Sequence, residues 1–281
     1  MAYITLKNVT FQYEFGHHLV LNGIDLSINK GEYVVITGKT SSGKSTLSYC
    51  LNGLIPNAVD GDFTGDVIID GHNTKMIKLS DLSKMIGIVF QNPESQIYGL
   101  SVEEDLLFAL ENFGYDKETI QKRITWALDV VGMTDYMVQS PFSLSGGQKQ
   151  RVIIASVLAL QPDIIVLDEP TAEIDPEGKS EILGILKKLN QDYQITVILF
   201  EHEMERVIQY ASRMIVLDHG KIAFDDTPHQ VYQHVDALRG LGVRIPHLCE
   251  LFDKMKKKGL YQGAIPIDIQ EAETIIRRML T

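Results

Sequence analysis

Cysteine is nearly absent: Cys50 and Cys249 are the two in a chain of 281 residues. Two such thiols cannot make a disulfide framework and their spacing fits no zinc motif, so they read as packing residues. The single tryptophan, Trp126, reads the same way. Long apolar runs are missing too. The most apolar stretch, Val152 to Leu167, is broken by Gln161-Pro162-Asp163, and nothing reaches the ~18–20 apolar residues of a membrane span. The opening MAYITLKNVT has no basic flank before an apolar run, so no secretory signal is expected. Positive charge is short: 26 Lys+Arg stand against 37 Asp+Glu, a formal net charge of −11. That argues against non-specific nucleic-acid binding, which needs clustered cations, and no nucleic-acid partner is expected. The one basic cluster, Lys254, Lys256, Lys257 and Lys258, reads as a solvated helix end. With 44% hydrophobic and 22% charged residues, disorder and collagen-like structure are excluded, and the length suits one large domain or two smaller ones.

What is there begins with short strands. Ile4 to Val9 alternates, Leu26-Ser27-Ile28 follows, and Tyr33 to Thr37 is a β-branched run ending at glycine. Ser45 to Leu54 has helical spacing closed by Gly53 and Pro56. Val67 to Ile69 and Ile86 to Phe90 read as further strands, and residues 92–143 as an inserted helical subdomain. Helix and strand then alternate through Gln148–Leu160, Ile164–Leu167, Pro176–Leu189, Ile195–Phe200, Glu203–Tyr210 and Met214–Leu217, the pattern of a parallel sheet covered on both faces. Residues 236–281 differ in character. Helical spacing of Leu248, Leu251, Phe252 and Met255, and a capping pair Asp268/Glu271 before Ile269–Leu280, predict a small helical extension.

Three motifs carry chemistry. Gly38-Lys39-Thr40-Ser41-Ser42-Gly43-Lys44-Ser45 fits G-x4-G-K-[ST] between a strand and a helix, the context of a phosphate-binding loop. Backbone amides and the helix N-terminus would wrap a phosphate, Lys44 would reach the β- and γ-phosphates, and Ser45 would ligate Mg²⁺. Ile164 to Leu167 leads into Asp168-Glu169: Asp168 is expected in the Mg²⁺ shell, and Glu169 is placed to polarise a water attacking the γ-phosphate. Leu144-Ser145-Gly146-Gly147-Gln148 opens a helix and makes a second anion site. One loop already holds the nucleotide, so this second site wants a phosphate from elsewhere. A two-fold or pseudo-two-fold dimer supplies it, with each nucleotide between one subunit's loop and the other's Ser145–Gln148.

The order GKTSSGKST (through Thr46), Gln91, LSGGQ, IIVLDEP and His202 resembles the ATP-binding subunit of an ABC transporter over about residues 3–235. The resemblance implies an α/β P-loop NTPase fold, a mainly parallel sheet with an antiparallel β subdomain and a helical insertion. It implies ATP and Mg²⁺ as cofactors. Position by position, it implies that Tyr13 stacks on adenine, Gln91 touches Mg²⁺ and signals to the membrane partner, and His202 contacts the γ-phosphate. It also implies that the loop Ala172-Glu173-Ile174-Asp175 sends Asp175 across the dimer interface. Glu201, before the histidine, departs from the usual small or hydroxyl residue, and is expected to face the partner subunit.

Gln91-Asn92-Pro93-Glu94-Ser95-Gln96, with the tail, resembles the A component of energy-coupling factor importers. That narrower resemblance implies uptake of a vitamin or transition-metal ion, and a second, like or related, ATPase subunit. It further implies integral-membrane T and S components docked near Gln91–Gln96 with Glu94 meeting arginines, a C-terminal extension that meets its counterpart, and a peripheral place on the cytoplasmic face of the membrane. A nucleic-acid mechano-ATPase shares the motifs but would carry coiled-coil heptads, which are missing here. A small-molecule kinase would leave LSGGQ and the Gln91/His202 pair idle, and a non-hydrolysing sensor would lose Glu169.

Overall fold

The computed structural model describes residues 2–172 and 174–280, so Glu173 of the loop before Asp175 lies outside the described residues. In chain order the strands are β1 (Ile4–Tyr13), β2 (Leu21–Ile28), β3 (Tyr33–Thr37), β4 (Gly61–Ile69), β5 (His72–Asn73), β6 (Ile86–Val89), β7 (Ile164–Asp168), β8 (Thr196–Phe200), β9 (Arg213–Asp218) and β10 (Lys221–Asp226). The helices are α1 (Lys44–Leu51), α2 (Leu54–Asn57), α3 (Leu79–Met85), α4 (Val102–Asn112), α5 (Lys117–Val130), α6 (Gly146–Leu158), α7 (Pro176–Gln191), α8 (Met204–Val207), α9 (Pro228–Val231), α10 (Val235–Gly240), α11 (His247–Lys257) and α12 (Ile269–Leu280).

Two sheets follow from two hydrophobic patterns. β3, β7 and β8 are buried at every position, because a parallel strand covered on both faces has no wet side. They form the centre of a sheet ordered β10-β9-β3-β8-β7-β6, parallel except for the edge strand β10. Val34 and Ile36 pack on one side with Leu47, Cys50 and Leu51 of α1. Tyr33 and Val35 pack on the other with α6, α7 and the helices of the 92–143 insertion. β1, β2, β4 and β5 make a separate antiparallel sheet, β2-β1-β4-β5, whose strands alternate buried and exposed. Val235, Leu238, Val243, Cys249, Phe252, Ile265 and Ala272 of the C-terminal region join the core on the α6/α7 side. Trp126 packs edge-on against Tyr193, with ring centroids 5.5 Å apart.

Register gathers the functional ends. Ile36 lies beside Phe200, Phe200 beside Asp168, and Leu167 beside Val89. The segments leaving β3, β8, β7 and β6 therefore emerge at one carboxyl edge, the edge where open α/β sheets bind ligands. Several elements differ from the sequence expectation. β1, β2 and β4 run longer than Ile4–Val9, Leu26–Ile28 and Val67–Ile69, because their polar halves are wet on one face. α1 ends at Leu51 rather than Leu54, before the left-handed Gly53, and the helix expected over Glu203–Tyr210 shrinks to Met204–Val207. Asp268 caps α12 by accepting from the Glu271 amide at 2.8 Å, while the Glu271 carboxylate reaches back to the Ile267 amide. Among the described residues no helix is long and apolar enough to cross a membrane.

Candidate functional site

The loop between β3 and α1 is shaped by residues that cannot be large. Gly38 has φ 154°, and a Cβ there would sit 2.3 Å from the Leu217 carbonyl oxygen and 2.7 Å from Ser42 Oγ. Gly43 has φ 104°, in the left-handed region. As the N-cap of α1 it offers no side chain, so the first-turn amides are uncapped and free to meet an anion. Ser42 Oγ is buried and unpartnered. Lys44 is 6% exposed, and its ammonium donates to the carbonyls of Gly38 at 3.0 Å and Lys39 at 3.1 Å. Burial lowers its pKa, against the pull of Glu169 and Asp168. A cleft of about 570 Å³ opens over this loop, bordered by Thr40, Ser41, Lys44, Ser45, Thr46 and Gln91 among others.

Glu169 stands at the cleft's far wall in the left-handed region, φ 48°, with its amide bonded to the Phe200 carbonyl at 2.9 Å. Its carboxylate accepts from Gln91 Nε2 at 3.1 Å and meets His202 Nε2 at 2.9 Å. Burial, then Lys44, lowers the His202 pKa against the pull of Glu201 and Asp168, which favours the neutral imidazole. Burial and Asp168 together raise the Glu169 pKa, and burial raises that of Asp168 although Ser45 donates to it. Carboxyls crowded in this way are short of positive charge, with Lys44 opposing both and His202 opposing Asp168. The hydroxyl of Ser45, the carboxylate of Asp168 and the amide oxygen of Gln91 are the hard oxygen donors that Mg²⁺ takes alongside water and phosphate, so the residues fit that ion.

One expectation needs correction. Glu201 does not face a partner. It is 4% exposed, and its carboxylate accepts from the Thr171 hydroxyl and, at 2.8 Å, from the His202 amide. The cause is the sheet's period of two: the Glu201 amide continues the ladder to the Ile36 carbonyl at 3.1 Å, which sends its side chain to the face opposite Phe200. Tyr13 stands beside the phosphate loop: its phenol shares a 3.0 Å hydrogen bond with Thr46 Oγ1, which borders the cleft, and its ring meets Phe11 edge-on. Lys39 turns outward, to Asp218 at 3.2 Å and His219 at 2.8 Å.

Ser145–Gln148 lies apart from this cleft, at the N-terminus of α6. Ser145 Oγ accepts from the Gln148 amide at 3.3 Å and Gln148 Oε1 accepts from the Ser145 amide at 2.9 Å, a complete capping box. The S-x-x-Q spacing carries that signal in the sequence. Nothing stands within 4 Å of where a Gly146 side chain would be, and Gly147 packs against Gly178 of α7. Asp175 caps α7 by accepting from the Glu177 and Gly178 amides, both at 3.0 Å. Glu94 sits in a 3₁₀ turn, Pro93–Gln96, that Gln96 ties to β6 through the Phe90 amide and Ile88 carbonyl. Its carboxylate is 2.7 Å from Lys149, next after Gln148, which holds its pKa below the usual range. Beside this turn Tyr98, Leu100 and Phe108 are exposed, with the Tyr98 and Phe108 rings 5.8 Å apart, a patch that the sequence reading passed over.

Comparison with known proteins fits this geometry. Residues 21–172 match the family model described as ABC transporter. The energy-coupling factor transporter ATP-binding protein EcfA1 of Caldanaerobacter subterraneus is 43% identical, with 98% of each chain covered. Among solved structures, cbiO1 of Clostridium perfringens, described as part of the ABC transporter complex cbiONQ, superposes with a TM-score of 0.76 at 31% identity, covering 90% of this chain and 99% of that one. A dimeric ATP-binding cassette in a post-hydrolysis state with ADP and phosphate has a TM-score of 0.69 at 32% identity, covering 80% and 98%. A phosphate loop, a carboxylate pair and LSGGQ on this sheet, together with these relatives, make the chain a member of the ABC transporter family: an ATP-binding subunit and an ATPase.

Proposed function

We propose that this chain is the ATP-hydrolysing A component of an energy-coupling factor importer, working as one half of an ATPase dimer on the cytoplasmic face of the membrane. The observation that carries the reading is the convergence of Lys44, Gln91, Glu169 and His202 on one carboxyl edge of the sheet, with LSGGQ outside the residues that line the cleft. A site with its phosphate loop in one place and its second anion site in another is completed by a second subunit. Similarity to EcfA1 over nearly the whole of both chains supports the importer class, with a vitamin or a transition-metal ion as its solute.

Catalysis in this scheme is positioning and charge stabilisation. Loop amides and the α1 N-terminus cradle the β-phosphate, and Lys44 leaves the carbonyls of Gly38 and Lys39 for the γ-phosphate. Ser45, Asp168 and Gln91 would hold Mg²⁺, which neutralises charge on the phosphate oxygens when bound. Glu169 accepts a proton from the attacking water. His202, neutral, donates Nε2–H to the γ-phosphate in place of Glu169. The partner's Ser145–Gln148 closes over the same phosphate, and its Asp175 approaches across the interface. The Gln91–Gln96 turn, with Glu94 and the Tyr98/Leu100/Phe108 patch, is the surface for the membrane T component, beside which the S component binds solute. Two measurements test the reading together: Mg²⁺-dependent phosphate release by the purified chain, and the identity of the proteins that co-purify from detergent-solubilised membranes. ATPase activity with integral-membrane partners bears it out; hydrolysis that stays with nucleic acid instead overturns the transport role.

A further inference from the structure

The two glutamates flanking His202 are both engaged, with different partners. Glu203 meets Lys179 of α7 at 2.6 Å and Arg244, from the segment after α10, at 3.3 Å. Glu201 lies beneath the switch residue. One of its carboxylate oxygens takes the Thr171 hydroxyl, and the other takes the His202 amide at 2.8 Å. Thr171 is 3% exposed and two residues beyond Glu169, on the loop that runs on to Asp175. A buried carboxylate is costly unless hydrogen-bonded, and here these hydrogen bonds join the segment at His202 to the loop after Glu169.

We propose that Glu201 is a positioning residue: a buried strut that fixes the backbone of the switch segment at His202 to the Thr171 loop, so that His202 and Glu169 hold their places together. It touches neither nucleotide nor water, and acts through His202. The role asks for an acceptor toward the His202 amide and a partner for the Thr171 hydroxyl. A carboxamide can supply both, its oxygen accepting from the amide and its NH₂ donating to Thr171 Oγ1. Charge is therefore not what the position requires. The inference rests on the reading of His202 as the γ-phosphate switch.

Steady-state ATPase kinetics of the full-length chain test it with four variants: Glu201→Ala, Glu201→Gln, Thr171→Val and His202→Ala. Hydrogen bonds to a charged group carry enough energy for about tenfold or more in rate when they serve the transition state. Glu201→Ala and Thr171→Val are expected to lower kcat about tenfold with KM for ATP within about twofold. The double variant should be no slower than Glu201→Ala alone, because both remove the same link. Glu201→Gln should restore kcat to within about threefold of wild type. Wild-type kcat in Thr171→Val overturns the proposal, as does an equal loss in the Gln and Ala variants. Should Glu201→Ala fail to fold, Thr171→Val and Glu201→Gln decide alone. His202→Ala separates the two ideas: full activity there removes the switch reading itself, whereas its loss alongside intact Thr171→Val removes only the strut.

Discussion

Replacing Glu169 by glutamine changes one atom and tests the chemistry most directly. The carboxylate accepts from Gln91 at 3.1 Å and lies 2.9 Å from His202 Nε2, and an amide of the same size keeps an acceptor oxygen for one of them while its NH₂ can face an imidazole nitrogen. What it cannot keep is the proton-accepting oxygen. A positioned general base is worth roughly 10²–10⁴ in rate, about 3–5 kcal/mol of barrier, so kcat should fall by that factor. KM should not rise, because an anion has been removed from beside the γ-phosphate. Stability should move the other way. Burial and Asp168 raise the Glu169 pKa, so the folded state holds that proton more tightly than the unfolded one. Its contribution to stability is favourable in acid and is lost as pH rises through the folded pKa. At pH 8 Glu169→Gln is therefore expected to have the higher Tm, with the gain shrinking as pH falls into the ordinary glutamate range. Phosphate release and thermal unfolding measured on the same preparation give both numbers, and size exclusion with ATP should show an accumulated dimer. Turnover within threefold of wild type would refute the assignment of Glu169, and a raised KM at unchanged kcat would make it a binding residue instead.

Lys44→Ala should weaken ATP binding by roughly 10–100-fold, the worth of a charged hydrogen bond to phosphate, as read by titration with a fluorescent nucleotide; undiminished affinity removes the loop from its role. Ser145→Ala deletes one half of the capping box, which costs ~1 kcal/mol and about 2–4 °C in Tm, and kcat should fall further than that small loss explains. A kcat that only follows the lost stability would leave Ser145 a cap and nothing more. Glu94→Arg puts a cation against Lys149 at an exposed site, 65% accessible, so the fold should survive while co-purification with the membrane partner is lost; an intact complex counts against docking there.

The sequence made the catalytic edge legible because its chemistry is local. A phosphate loop, a strand ending in Asp168-Glu169 and a capped glycine helix are each written in fewer than ten residues. Fully buried strands such as Tyr33–Thr37 were equally plain, since no alternation disguised them. The antiparallel sheet was read short, because residues such as Asn22 and Asp62 on the wet face look like loop. β10 went unread for the same reason: as the edge strand it is mostly exposed and ends in two aspartates. Contacts across the fold were beyond reach. Glu201 with Thr171 spans 30 residues and Glu94 with Lys149 spans 55, and neither pair follows from spacing along the chain. The hydrogen bond between Tyr13 and Thr46, 33 residues apart, is equally invisible to spacing.

The ion pair between Glu94 and Lys149 has a consequence for docking. Under the proposed docking, an arginine from the membrane component would meet a carboxylate whose Oε1 already holds an ammonium at 2.7 Å, so Glu94 is presented as half of an ion pair rather than as a bare anion. The lysine that holds it stands next to Gln148, in the opening turn of α6. Under that proposal, attachment at Glu94 and the electrostatics of that turn are linked through one ion pair, and salt weakens both cations' hold on the carboxylate.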